Sequence, residues 1–128
     1  TFAGSPKVAT QNPFQVNTGI SYYFDGTGDY LSIASSVALT IGQSSATVEF
    51  WIYPTSVSGY QRLITTSIGA FTSADFVIRF NNGTFIAGHA TNSVSSSTVP
   101  VINQWSHIAW VGVGGTAYIY VNGIQQTW

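Results

Sequence analysis

The chain has 128 residues, 45% of them hydrophobic, with no cysteine or methionine and 3 Lys and Arg against 4 Asp and Glu, a net charge of −1. That length suits one domain with a hydrophobic core, and the missing sulfur excludes disulfides and thiolate metal sites. The near-neutral balance excludes the basic footprint that nucleic acid or an anionic membrane surface requires, and no apolar run is long enough for insertion through a bilayer.

Val, Ile and Thr are abundant, whereas Leu occurs at three positions and Glu and Lys once each, at Glu49 and Lys7. β-Branched and aromatic side chains fit a pleated surface, so the composition predicts strands rather than helices. Residues 1–19, with Pro6 and Pro13, read as an extended arm or an edge strand, since proline cannot donate to a central ladder. The domain proper is placed at 20–128, its core beginning at Ser21–Phe24. Asp25–Asp29 is a turn with two glycines, and Tyr30–Ile33 reads as the returning strand. Residues 34–45 are small and polar and read as a loop.

Ala46–Tyr53 is the strongest strand. Val48, Phe50 and Ile52 point one way, and Thr47, Glu49, Trp51 and Tyr53 the other. Pro54 ends it, and Gln61–Thr66 is a shorter strand. Phe76–Phe80 and Thr84–His89 flank Asn81-Asn82-Gly83 as a hairpin. Residues 90–99 read as a Ser/Thr-rich loop. Trp105–Val111 and Ala117–Val121 form a second hairpin around 112–116, and Asn122-Gly123 signals a third tight turn. Eight or nine short strands at this spacing predict an antiparallel β-sandwich or jelly roll.

Three segments in order carry a family resemblance: Tyr22-Tyr23-Phe24-Asp25-Gly26-Thr27-Gly28-Asp29-Tyr30-Leu31; Ala46-Thr47-Val48-Glu49-Phe50-Trp51-Ile52-Tyr53-Pro54; and Gln104–Ala109 continued by Gly115–Gly123. Together they resemble the laminin-G-like branch of the concanavalin A-like lectin/glucanase superfamily, most closely copies in phage and marine microbial structural proteins. The resemblance implies a jelly roll of two curved antiparallel sheets. It implies a binding module for carbohydrate or protein surfaces, outside the cell or on a virion, with a purely structural decoration or fibre role as the alternative. The family's closing strand has no counterpart before Trp128. The chain is therefore expected to be a fragment, or to be completed by another copy in a homo-oligomer or larger assembly. The missing methionine likewise implies processing or excision from a longer chain.

Enzymatic relatives on this fold carry Glu-x-Asp-x-x-Glu on one strand. Here Glu49 is followed by Phe50 and Trp51, so the paired carboxylates of glycoside hydrolysis are missing; a pair from distant strands, such as Glu49 with Asp75, is the remaining route. A non-enzyme is expected. His107 reads as a half-buried strand histidine bonded to backbone, and His89 as a strand-end residue; neither has zinc-ligand spacing. The resemblance brings one cofactor into view, Ca²⁺, which some relatives hold through two Asp side chains and carbonyls. Asp25 reads instead as an Asx residue capping its own turn. Sugar binding needs an exposed aromatic beside planar polar groups. The candidates are Tyr60, Arg79, Asn81, Asn82 and Trp110, with Tyr53 and Trp128 behind them. Tyr60 is expected to be exposed in its Ser/Gly loop, and Trp51 and Trp105 to be core. The 54–60, 67–75 and 90–99 loops are the places to look.

Overall fold

The computed structural model describes residues 1–14, 19–39, 41, 45–67, 72, 75–89, 92–96 and 98–127. Their secondary structure consists of strands and one 3₁₀ turn at Val37–Leu39. Two compact units divide the chain, Thr1–Thr40 and Ile41–Trp128.

In the first unit, β1 (Phe2–Ala3) pairs antiparallel with β4 (Tyr30–Leu31), and β2 (Lys7–Ala9) with β3 (Ser21–Tyr23). The expected hairpin of Ser21–Phe24 with Tyr30–Ile33 is therefore not formed; each strand pairs with the N-terminal segment instead. The reason lies in the loop between them. Asp25 Oδ1 accepts from the Thr27 amide at 2.7 Å, the Asx turn expected of it. Asp29 Oδ1 accepts from the Ser5 amide at 2.5 Å and Oδ2 from the Asp25 amide at 3.3 Å. Asp29 thus clips the turn onto the chain just after β1. Gly4, at φ +72°, is required there because an added Cβ would meet the Asp29 side chain and the Gly28 carbonyl. Tyr22, Tyr23 and Phe24 are exposed, so the core does not begin where the aromatic run predicts. Two-stranded ribbons of two or three residues cannot bury both faces of such side chains.

The second unit is a sandwich of two four-stranded antiparallel sheets. One has the order β12 (Ile124–Gln125), β11 (Thr116–Val121), β10 (Ser106–Val113), β5 (Ala46–Ile52). The other has the order β6 (Tyr60–Thr65), β7 (Phe76–Asn81), β8 (Thr84–His89), β9 (Asn92–Ser96). The alternation read over Ala46–Tyr53 holds as far as Ile52, where the strand ends: Val48, Phe50 and Ile52 pack against the core while Thr47, Glu49 and Trp51 are exposed, and Tyr53, expected on that outer face, is half-buried beyond the strand. Facing them, Phe76, Ile78, Phe80, Phe85 and Ala87 are fully buried. The layers meet where Phe76 sets its ring against Trp110, centroids 4.8 Å apart and edge-on. Each fully buried Phe or Ile contributes about 1.5–3 kcal/mol.

Three two-residue turns shape the sheets. Asn82-Gly83, Gly114-Gly115 and Asn122-Gly123 each place both central residues at positive φ, between 49° and 81°. That is the type I′ geometry whose twist suits a hairpin. The second of these differs from the sequence reading: β10 runs on through Gly112 to Val113, so the predicted five-residue loop shrinks to two. The 90–99 segment also differs, since Asn92–Ser96 is a strand paired with β8. Its serines carry little strand propensity, but Ala87↔Val94 and Phe85↔Ser96 give it a hydrophobic partner, and context overrides propensity.

Candidate functional site

The site begins at the turn between β7 and β8. Left-handed Asn82 directs its Oδ1 to the Gly59 amide at 3.1 Å, and its own amide donates to the Gly59 carbonyl at 2.8 Å. The Gly83 amide donates to the Val57 carbonyl at 3.2 Å. The 56–59 loop is thereby stapled to the hairpin tip, and Tyr60, first residue of β6, follows from it with 51% of its surface exposed. Tyr60 lies opposite Asn81, and Arg62 opposite Arg79. Phe80 and Ile78, which flank Arg79 in β7, face the core, so these four residues share the opposite face of the sheet. A β-bulge falls between Arg62 and Ile64, immediately beyond the cluster.

Arg79 Nη1 donates to the Tyr60 hydroxyl at 2.8 Å. Its guanidinium carbon is 4.9 Å from the Tyr60 ring centre, and that of Arg62 is 5.7 Å away. Both distances are within cation–π range. Desolvation raises the Tyr60 pKa, but hydrogen bonding and charge from Arg62 and Arg79 outweigh it and hold the phenol below its ordinary value. Beyond Arg62 lies Asp75. The Thr72 amide and hydroxyl donate to its Oδ2 at 2.6 and 2.8 Å and, with smaller help from Ser67 and Arg62, keep that carboxyl below the usual carboxylate range. A phenol and two guanidiniums thus share one face at this end of the sheet, with Asn81 opposite Tyr60 and Asn82 holding the neighbouring loop.

A family model described as the concanavalin A-like lectin/glucanases superfamily, of the laminin-G kind, matches residues 25–127. The chain belongs to this superfamily. No curated protein and no solved structure matches it. For a concanavalin A-like sandwich, the two facing antiparallel sheets of residues 41–128 are the expected architecture.

Of the residues singled out in this concanavalin A-like chain, Tyr60, Arg79, Asn81 and Asn82 are brought together, with Asn82 holding the loop through its carbonyl oxygen. Trp110 is not with them. Its ring is 3% exposed against Phe76, and its buried Nε1–H has no acceptor among the described residues. The alternation of β10 points it into the sandwich, so it belongs to the core and not to a ligand surface. Trp51 errs the other way: expected in the core, it is 41% exposed on the outer face of β5. Tyr53 packs edge-on against half-buried Trp105 at 5.5 Å. Trp128 lies outside the described residues, as do 68–71, 73 and 74 of one candidate loop and 90, 91 and 97 of another.

Half-buried His107 points its Nε2 at Glu49 Oε2, 3.6 Å away, and tilts its ring over Trp51 at 5.2 Å. The His107 backbone amide donates to Asn122 Oδ1 at 2.8 Å, and the imidazole faces a carboxylate where a backbone partner was expected. His89 lies against Phe76. Glu49 is on the outer face of one sheet, whereas Asp75 precedes β7 of the other, so the distant-strand carboxylate pair is not assembled. No group of three or more His, Asp or Glu gathers among the described residues, and no helix there is long and apolar enough to cross a membrane.

Arg62 is the member of this cluster that the sequence reading missed. The signal was partial: Tyr60 and Arg62 are two residues apart and share a face, but only a register such as the observed one, with Arg62 opposite Arg79, brings that face to Arg79.

Proposed function

We propose that this domain is a non-enzymatic carbohydrate-binding module, displayed outside the cell or on a virion as part of a larger assembly. The reading is carried by one observation, the exposed Tyr60 ring held by Arg79 beside Asn81 on a loop stapled by Asn82. A rigid scaffold that presents aromatic and planar polar groups from a loop end suits a polyhydroxylated ligand. The separation of Glu49 from Asp75 supports binding without hydrolysis, which needs two carboxyl groups about 5–10 Å apart. Ca²⁺ is not required by this reading, because the carboxylates of Asp25 and Asp29 already accept backbone amides.

A glycan array probed with the whole chain and with Tyr60→Ala tests the proposal. Binding to a defined set of glycans, lost in the variant while its thermal melt is unchanged, is the expected result. An array without signal for the wild-type chain refutes it and favours a purely structural role.

A further inference from the structure

We infer that the outer edge of β5 is an interaction surface for a second copy of this chain: the two Ala46–Ile52 strands pair antiparallel about a two-fold axis at Val48, joining their sheets into one.

The first support is the open ladder. Among the described residues, the β12-β11-β10-β5 sheet ends at β5. The amide and carbonyl of His107 both engage Asn122, on the β11 side of β10. Ser106, Ile108 and Trp110 therefore bond toward β5, through Ile52, Phe50 and Val48 opposite them. Thr47 and Glu49, which lie between, aim their amides and carbonyls away from β10. Those groups have no partner among the described residues.

The second is the character of the edge. The other three edge strands are blunted, as edges commonly are. Strand β12 has two residues, β6 carries a bulge after Arg62, and β9 has Val94 as its one apolar side chain. Strand β5 has none of these guards. Its seven residues keep an unbroken register with β10 and include no Pro or Lys. Val48, Phe50 and Ile52 face the core yet stay half-buried, whereas Ile108 and Trp110, one strand further in, are 0% and 3% exposed. Apolar surface along this edge thus awaits a neighbouring strand.

The third is self-complementarity. Pairing about Glu49 would oppose two carboxylates, which destabilises a sheet. Pairing about Phe50 would set Thr47 opposite Tyr53, past the end of the strand. Pairing about Val48 sets Thr47 opposite the partner's Glu49, and Glu49 opposite the partner's Thr47. Those two pairs exchange all the open amides and carbonyls of Thr47 and Glu49. On the outer face a hydroxyl then meets a carboxylate; on the inner face Val48 meets the partner's Val48, and Phe50 the partner's Ala46. Such an interface is isologous and closes at a dimer. The inference is independent of what Tyr60 binds, although a dimer carries two Tyr60 sites and gains avidity for a repeating ligand.

Sedimentation and light scattering of the whole chain over a range of concentrations test it. The expected result is a reversible monomer–dimer equilibrium, the larger species having twice the 13.7 kDa mass of the chain. Thr47→Pro removes an outward amide donor and leaves the β10 ladder intact, a substitution edge strands tolerate; it should abolish the dimer with unchanged circular dichroism. Thr47→Glu opposes two carboxylates at both pairs and should weaken dimerisation by about tenfold, whereas Thr47→Lys should tighten it. The chain has no native cysteine. Val48→Cys should therefore oxidise to a linked dimer, because the paired Cα atoms lie about 4.5 Å apart; Thr47→Cys, with no cysteine opposite, should not. A chain that stays monomeric at every concentration overturns the inference, as does a dimer that all three Thr47 variants to Pro, Glu and Lys leave unchanged. A dimer lost in Thr47→Pro but linked through Thr47→Cys rather than Val48→Cys refutes the register. None of these outcomes bears on the glycan array.

Discussion

Gly112 should resist the smallest enlargement, and Trp110 should be the reason. The two residues lie on one face of β10, and a Cβ built on Gly112 would come within 2.6 Å of Trp110 Cη2 and 3.2 Å of Cζ2 and Cζ3. The indole cannot swing away, because Phe76 meets it edge-on across the sandwich at 4.8 Å. At a glycine without left-handed φ, alanine normally stabilises by about 0.4–1 kcal/mol through the unfolded chain. Overpacking costs about 1–3 kcal/mol. Gly112→Ala is therefore expected to destabilise by about 1–2 kcal/mol in the wild-type background. Trp110→Phe removes the benzo edge that the new methyl meets, and with it a buried N–H that has no acceptor among the described residues. In that background Gly112→Ala should be neutral or stabilising, a coupling of about 1–3 kcal/mol. Urea unfolding of the four proteins, followed by circular dichroism, measures the cycle. Equal effects of Gly112→Ala in both backgrounds, within about 0.5 kcal/mol, would refute the packing argument.

Three further outcomes are expected. Asn122 accepts the His107 amide and sits at φ 52°; Asn122→Gly should lose only the hydrogen bond, about 0.5–1.5 kcal/mol, whereas Asn122→Ala adds about 1 kcal/mol or more of left-handed strain, a difference readable in thermal melts. Asp75, whose carboxyl is depressed by the Thr72 amide first and its hydroxyl second, adds stability that is fully present above the ordinary carboxylate pKa and disappears as pH falls through its lower folded value. Asp75→Asn should flatten that acid limb of a melting-temperature profile. In a difference titration of tyrosinate absorbance against Tyr60→Phe, Tyr60 should ionise below the ordinary tyrosine range and move back up in Arg79→Gln.

The legible parts of this fold are those set by local chemistry. The period-two alternation of Ala46–Ile52 and the Asn82-Gly83 and Asn122-Gly123 turns needed only neighbouring residues to be read. Trp51 could not be placed by its type. It shares the outward face with Glu49, and the alternation of its own strand outranks the habit of burying indoles. Trp110 yields to the same rule in reverse, since Ile108 and Trp110 alternate together into the sandwich. The Asn92–Ser96 segment escapes sequence reading for another reason: β9 exists through its pairing with β8, a relation that polar composition does not encode. Likewise Ser21–Tyr23 chose β2 over the nearer Tyr30, because Asp29 reaches back to Ser5. At the candidate site, Tyr60 and Arg79 were visible as types, but Arg62 acquires its meaning only through register.

The connectivity of the two sheets also orders their assembly in time. Strands β6 to β9 are neighbours in the chain, as are β10 to β12, and each set closes through short turns or links. Strand β5 alone must wait for β10, with residues 53–105 intervening. Closing so long a loop before its contacts form is slow. Until β5 arrives, Ile108 and Trp110 lack the cover of Phe50 and Val48, so the Ala46–Ile52 ladder is where a half-folded copy of this chain is most open to pairing with the wrong strand.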